Sequence, residues 1–321
     1  MLGDRITSER LIKELYLDLR TVIHRWSQLT HQTAQARMGY VGQHLVSVVT
    51  GLPGGKTGAR GSDLIETSGG YSEIKTCYRV DQLGRCPICQ AAVSPIESSC
   101  PQCGSTNITR KDDSKWLISI RNEHEFADIC NPVSYYFALF EYESSNSTDD
   151  ILATIYHVDP KEPGFSLCMV DYFLQIRSKS KSQAPLNIWP HQLKFCLMGP
   201  TRIYQARISS DNTVETLQFP GDNPPVSQFP DSLAMFVRST ILTPAALTHA
   251  LGTLLQTPSL DFEISKHELI RQFDLECRQR NIHGRAKAAL LSKSIYGPRL
   301  DGFLDEVPGA LGSLVRSYRP F

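Results

Sequence analysis

The chain has 321 residues, 41% hydrophobic and 21% charged, with 33 basic and 33 acidic side chains and a formal net charge of zero. That length and composition suit one large or two ordinary globular domains and exclude wholesale disorder. The charged start, MLGDRITSER, lacks the apolar stretch of a signal peptide, and no run approaches a membrane span. A soluble cytoplasmic chain with no membrane contact is therefore expected. The balanced total hides segregation. Five basic residues and no acid lie between Arg20 and Arg60, six and none between Tyr172 and Ser210, and six and none between Cys277 and Leu300. A polyanion binder needs local positive surface and not a basic total, although a solvated face gives the same pattern.

In chain order, SERLIKELYLDLRTVIHRWSQL has apolar residues at helical spacing, with Thr7 or Ser8 as N-cap. A second helix is expected through ARMGYVGQHLVSVVT, stopped by Gly51. LPGGKTGARGS reads as loop, and SDLIETSGGYSEIKTC as two short strands around a Ser-Gly-Gly turn. After a cysteine-rich segment come a short strand at WLISI, a helix at NEHEFADICN, and strands at VSYYFALFEYE and ILATIYHVD. For FSLCMVDYFLQI and LKFCLM, periodicity does not separate strand from helix. Residues 219–232 carry four prolines and a glycine and read as a linker. Beyond it, SLAMFVRSTI, TPAALTHALGTLLQT, SKHELIRQFDLECRQRNI and GRAKAALLSKSI look like successive helices. The expected organisation is an α/β (α+β) core over 1–218, a linker over 219–232, and a helical region over 233–321 that binds DNA or dimerises.

Residues 84–108 hold Cys86-x-x-Cys89, ten residues, then Cys100-x-x-Cys103. Each pair lets two thiolates face one ion from a tight turn, and four thiolates at this spacing suit a tetrahedral zinc site. With every position filled by cysteine, no position remains open for substrate, so the zinc is expected to be structural. Two matched pairs in so short a module argue against a redox role.

On the hairpin, Glu73 and Lys75 share one strand face, while Ile74 points the other way into the presumed core. The Ser68-Gly69-Gly70 reversal brings Asp63 back beside Glu73. Two carboxylates and the backbone carbonyl of Ile74 offer hard oxygen ligands for magnesium. Lys75 would then position a water and stabilise charge on a phosphate. Acid-x-lysine triplets arise about twice by chance in a chain this size, and two others occur, at Asp113–Lys115 and Asp159–Lys161. Only the Glu73 triplet lies on an alternating strand with an acid suitably upstream. A solvated hairpin is the bland alternative.

At these residues the sequence resembles the PD-(D/E)xK nuclease superfamily, whose pattern is matched by Asp63, Glu73 and Lys75 with nine residues between the two acids. Ser62 replaces the proline before Asp63. The acidic or amide residue that family members often carry on the preceding helix corresponds to Gln43. More narrowly, GQHL, TGARGSDL, SEIKTCYRVDQLGRC, the four cysteines and RKDDSKW look like type II restriction endonucleases of the MamI-like group. That resemblance implies a magnesium-dependent homodimer that cuts both strands of a short palindromic double-stranded DNA site and leaves 5′-phosphates. Lys56 and Arg60, in the glycine-rich loop, would lie along the DNA backbone. Two other functions stay open on the sequence: a repair or recombination nuclease without site specificity, and a non-enzymatic zinc-ribbon DNA-binding protein.

Overall fold

A computed structural model describes residues 3–30, 32, 38–55, 62–111, 114–143, 150–257, 264–303, 307, 309 and 312–313. The fold is α+β, and the chain forms two compact units. The first takes in 1–116, 136–156 and 203–224, and the second 117–135, 157–202 and 225–321. The chain thus passes between units inside 219–232, and also four times within 1–218.

The first unit begins with α1 (Arg5–Leu11), which runs through a π-helical segment (Ile12–Asp18) into α2 (Leu19–Thr30). Its N-cap is Asp4 and not Thr7 or Ser8. The Asp4 carboxylate accepts the Thr7 N–H at 2.8 Å and the Thr7 hydroxyl at 2.5 Å, so the residue expected to cap is itself capped. Next, α3 (Met38–Thr50) ends at Gly51, whose φ of +76° is the left-handed stop expected of it. The hairpin follows as β1 (Leu64–Ile65) and β2 (Tyr71–Tyr78), antiparallel with Leu64 opposite Ser72. β3 (Gly84–Arg85), β4 (Ala92–Val93) and β5 (Thr109–Arg110) form a separate small sheet around the cysteines. The large sheet also contains β7 (Ser134–Tyr142), β8 (Ile151–Val158), β10 (Thr201–Ile208) and β11 (Val214–Gln218), in the order β1-β2-β7-β8-β10-β11, and Val226–Ser227 pairs with β10 off that path. The strands β10 and β11 were not anticipated. TRIYQARI alternates, but Arg202 falls in step with the buried Tyr204, Ala206 and Ile208, and the irregularity opposite Gln205/Ala206 puts an extra residue, Leu217, into β11.

The apolar faces of α3 and the large sheet meet in one core that includes Val41, Leu45, Val49, Ile74, Phe140 and Tyr204. The helix lies very close to β2. A Cβ on Gly42 would fall 2.0 Å from Thr76 Oγ1 and 2.9 Å from Thr76 Cβ, so glycine is required for the approach. The far end of β2 is held by Asp81, which is buried in a left-handed conformation (φ +53°). Arg20 donates two hydrogen bonds to its carboxylate at 2.7 Å each, and Tyr78 a third at 2.9 Å. Burial opposes the charge, but the Arg20 and His24 side chains outweigh it together and hold the carboxyl well below its usual range.

In the second unit, α4 (Glu123–Cys130) has Asn122 as N-cap, and β6 (Trp116–Ile118) pairs with β9 (Leu186–Ile188). The two ambiguous stretches are both helical: α5 (Pro163–Asp171) with a π-helical continuation (Tyr172–Arg177), and α6 (Leu193–Leu197). Thr243 caps α7 (Pro244–Leu255) as expected, followed by α8 (Lys266–Gln279) and α9 (Gly284–Leu300). SLAMFVRSTI contains only a short 3₁₀ turn (Ala234–Phe236). There the Asp274 carboxylate accepts the Leu233 N–H and the Ser232 hydroxyl, so a side chain supplies the partners that helix would otherwise need. Asp274 also pairs with the buried Lys287 at 2.8 Å. Residues 219–232 include the short strand β12 (Val226–Ser227) and the buried Phe219 and Phe229.

Gly42→Ala is expected to destabilise the protein by about 1–3 kcal/mol, the usual cost of overpacking. Thr76→Ala on that background should restore part of the loss. Urea titration of the two singles and the double checks this; additivity would show that the two positions do not collide.

Candidate active site

The β1–β2 turn is closed by Glu66 and Gly70, with the Glu66 N–H donating to the Gly70 carbonyl at 2.9 Å and Gly69 at φ +86°. Continuing the Leu64–Ser72 register by one residue sets Asp63 opposite Glu73. Asp63 lies just before β1, and its carboxylate is held from two directions. Gln43, on α3, donates its side-chain amide to Oδ1 at 2.9 Å, and the Ile74 N–H donates to Oδ2 at 2.8 Å. A strand residue turns its N–H and C=O to the same side, so the Ile74 carbonyl faces the side of β2 on which Asp63 sits. The Ile74 side chain is buried in the core.

Lys75 Nζ lies 3.0 Å from Glu73 Oε2, with 29% and 14% of the two side chains exposed. Despite that ammonium, the Glu73 carboxyl is raised from its ordinary value. Burial is the largest cause, and the adjacent Asp63 carboxylate acts in the same direction by like charge and by accepting a hydrogen bond from the protonated form. Two carboxylates crowded until one resists ionisation, one fixed by an amide and a backbone N–H, form a donor set suited to a hard divalent cation. The structure thus brings Asp63, Glu73, Lys75 and Gln43 together. Lys56 and Arg60 lie outside the described residues. Of the rival triplets, Asp113 also lies outside them, and Asp159 accepts the Lys161 N–H at 2.8 Å in a local turn. What sequence reasoning missed is Gly42: one residue before Gln43, it lets α3 come near enough for the amide to reach Asp63.

The small sheet carries the second candidate site. The Sγ atoms of Cys86, Cys89, Cys100 and Cys103 all lie within 4.8 Å of one another, with Cys86–Cys103 at 3.5 Å and Cys89–Cys100 at 3.4 Å. A tetrahedral ion with sulfur bonds of about 2.3 Å needs sulfur separations of about 3.8 Å, inside that range. The two turns match. Gln90 N–H donates to the Cys86 carbonyl and Gly104 N–H to the Cys100 carbonyl, both at left-handed φ. Backbone N–H groups, first that of Cys89 and then that of Ile88, hold the Cys86 thiol down to about 6. The four thiols can therefore hold one metal ion.

The hairpin of paired acids with a lysine is thus backed by a helix and followed by a four-thiol module. The MamI restriction endonuclease family model matches residues 25–237, and the chain belongs to that family. The chain is also 33% identical over 79 residues to the Type II restriction enzyme MamI of Microbacterium ammoniaphilum, a match covering 23% of this chain and 24% of that enzyme. No solved structure matches the chain at a significant level. Among the described residues no helix is long and apolar enough to cross a membrane.

Because folding raises the Glu73 carboxyl above its ordinary value of 4.5, its favourable contribution is complete below that value and is lost as pH rises through the folded one. In EDTA, Glu73→Gln should therefore raise the melting temperature at pH 8 and leave it unchanged near pH 4; a lower melting temperature at pH 8 would contradict this. Separately, elemental analysis of purified protein should find about one zinc per chain, lost together with thermal stability in Cys100→Ser. Metal-free protein with intact thiols and unaltered stability would count against the site.

Proposed function

We propose that this chain is a magnesium-dependent type II restriction endonuclease that hydrolyses phosphodiester bonds at a specific site in double-stranded DNA, acting as a cytoplasmic homodimer. The observation that supports this most is the placement of Asp63, Glu73 and Lys75 on one hairpin, with Gln43 on Asp63, in a member of the MamI family. Asp63, Glu73 and the Ile74 carbonyl would hold the magnesium. When bound, it draws electron density from the scissile phosphate and stabilises the charge that builds on its oxygens.

The chain's own groups do the rest. Gln43 and the Ile74 N–H fix the Asp63 carboxylate so that its remaining lone pairs stay directed at the site. Lys75, steered by Glu73, donates to the attacking water and to a non-bridging phosphate oxygen. The water oxygen bonds to phosphorus and releases one proton to solvent as the bond to the 3′-oxygen breaks, and the departing oxygen takes a proton from solvent. The products are a 5′-phosphate and a 3′-hydroxyl. The four-thiol module would carry a structural zinc. The helical C-terminal region 233–321 would contribute DNA binding or dimerisation, and Lys56 and Arg60 contacts to the backbone.

Plasmid DNA incubated with magnesium should give discrete fragments, and none with EDTA. Glu73→Ala and Lys75→Ala should each cut at least about a thousandfold more slowly while still folding and binding DNA. A smear would mean a nuclease without site specificity. Wild type that binds without cutting would mean a DNA-binding protein, and full cutting by either variant would remove these residues from the chemistry.

A further inference from the structure

The π-helical segment and α2 carry an apolar stripe that is exposed among the described residues. Leu15, Leu19, Val22, Trp26 and Leu29 are all exposed, Trp26 to 53% and Leu29 to 70%. Their spacing is four, three, four, three. From Leu19 onward that is the a/d spacing of a coiled-coil seam, with Leu19 and Trp26 at a and Val22 and Leu29 at d, and Leu15 lies one turn earlier in the π-helical segment. The core-facing side of the same helix is already occupied: Ser27 is buried and Arg20 is bound to Asp81. The seam therefore calls for a second helix, and its charged flank indicates which one. Asp18 and Arg25 occupy the two g positions beside it, both exposed, and among the described residues neither is in a salt bridge.

We propose that the chain pairs with a second copy of itself through this seam, with the two copies of α2 antiparallel about a two-fold axis near residues 20 and 21. In an antiparallel pair, a positions layer against d positions and g faces g. With the axis there, Leu19 packs on the partner's Val22 and Leu15 on the partner's Trp26. Asp18 then faces the partner's Arg25, and the symmetry makes that ion pair twice. A parallel pair would stack Trp26 on Trp26 and set Asp18 against Ile23, with no ionic match. Moving the antiparallel axis by half a heptad toward the C-terminus brings Arg25 near Arg25. Most of the seam precedes residue 25, where the family match begins.

The test uses the full chain without DNA or magnesium, so it does not depend on the nuclease chemistry. Sedimentation equilibrium should show a wild-type dimer. Trp26→Glu should weaken it about a hundredfold by placing a charge in the apolar seam. Its melting temperature, measured at a concentration where wild type is also monomeric, should be unchanged. Asp18→Arg and Arg25→Asp should each weaken the dimer about tenfold, and the double swap should restore it, because each single change makes like charges face and the pair makes opposite charges face again. A monomeric wild type, or a dimer untouched by Trp26→Glu, would overturn the interface. Dissociation by Trp26→Glu without rescue in the double swap would overturn the antiparallel register.

Discussion

The candidate site depends on how closely α3 can approach β2. Gly42 is the point of contact, and a single Cβ there would strike Thr76. Without that approach the Gln43 amide would not reach Asp63, and the aspartate would be held only by the Ile74 N–H. The same contact seals the core, because Val41 and Leu45 flank Gly42 on the helix and Ile74 precedes Thr76 on the strand. Packing and site geometry are thus set by one missing side chain. At its other end β2 is tied down by Asp81 and Arg20, so the strand that carries Glu73 and Lys75 is fixed on both sides of them.

Charge looks different in space than along the chain. The stretch from Cys277 to Leu300 contains no acid, but Arg280 pairs with Glu276, Arg285 with Glu162, Lys287 with Asp274 and Arg299 with Asp171. Arg177 and Arg207, in another acid-free stretch, hold backbone carbonyls and Glu143 respectively. Arg20 is spent on Asp81. Much of what reads as positive surface is therefore paired with acids that lie outside those stretches. Burial of Lys287, Leu291 and Tyr296 along α9 makes that helix part of the second unit's core.

Local geometry explains which features were legible in the sequence. The period of two in SEIK, the Ser-Gly-Gly reversal and the paired Cys-x-x-Cys turns are all decided within a few residues, and the structure brings Asp63, Glu73, Lys75 and the four thiols together as that geometry requires. The caps at Asn122 and Thr243 are local in the same sense. The features not legible are decided over distance. Asp4, Thr7 and Ser8 are all good capping residues, and only the hydrogen bonds distinguish them. In β10, an arginine at 202, in step with the buried Tyr204, Ala206 and Ile208, disguises the alternation. The glycine at 42 looks like any helical glycine until a strand 34 residues later is laid against it.

The interleaving of the two units has a consequence for how this chain can change. Five crossings join them, after residues 116, 135, 156, 202 and 224. Neither unit is a contiguous stretch of gene, so neither can be exchanged, excised or expressed as a cassette with one cut at each end. A crossover anywhere between residues 117 and 224 would break both units at once. Change in such a protein must therefore come through point substitution in surface side chains and loops, rather than through shuffling of modules.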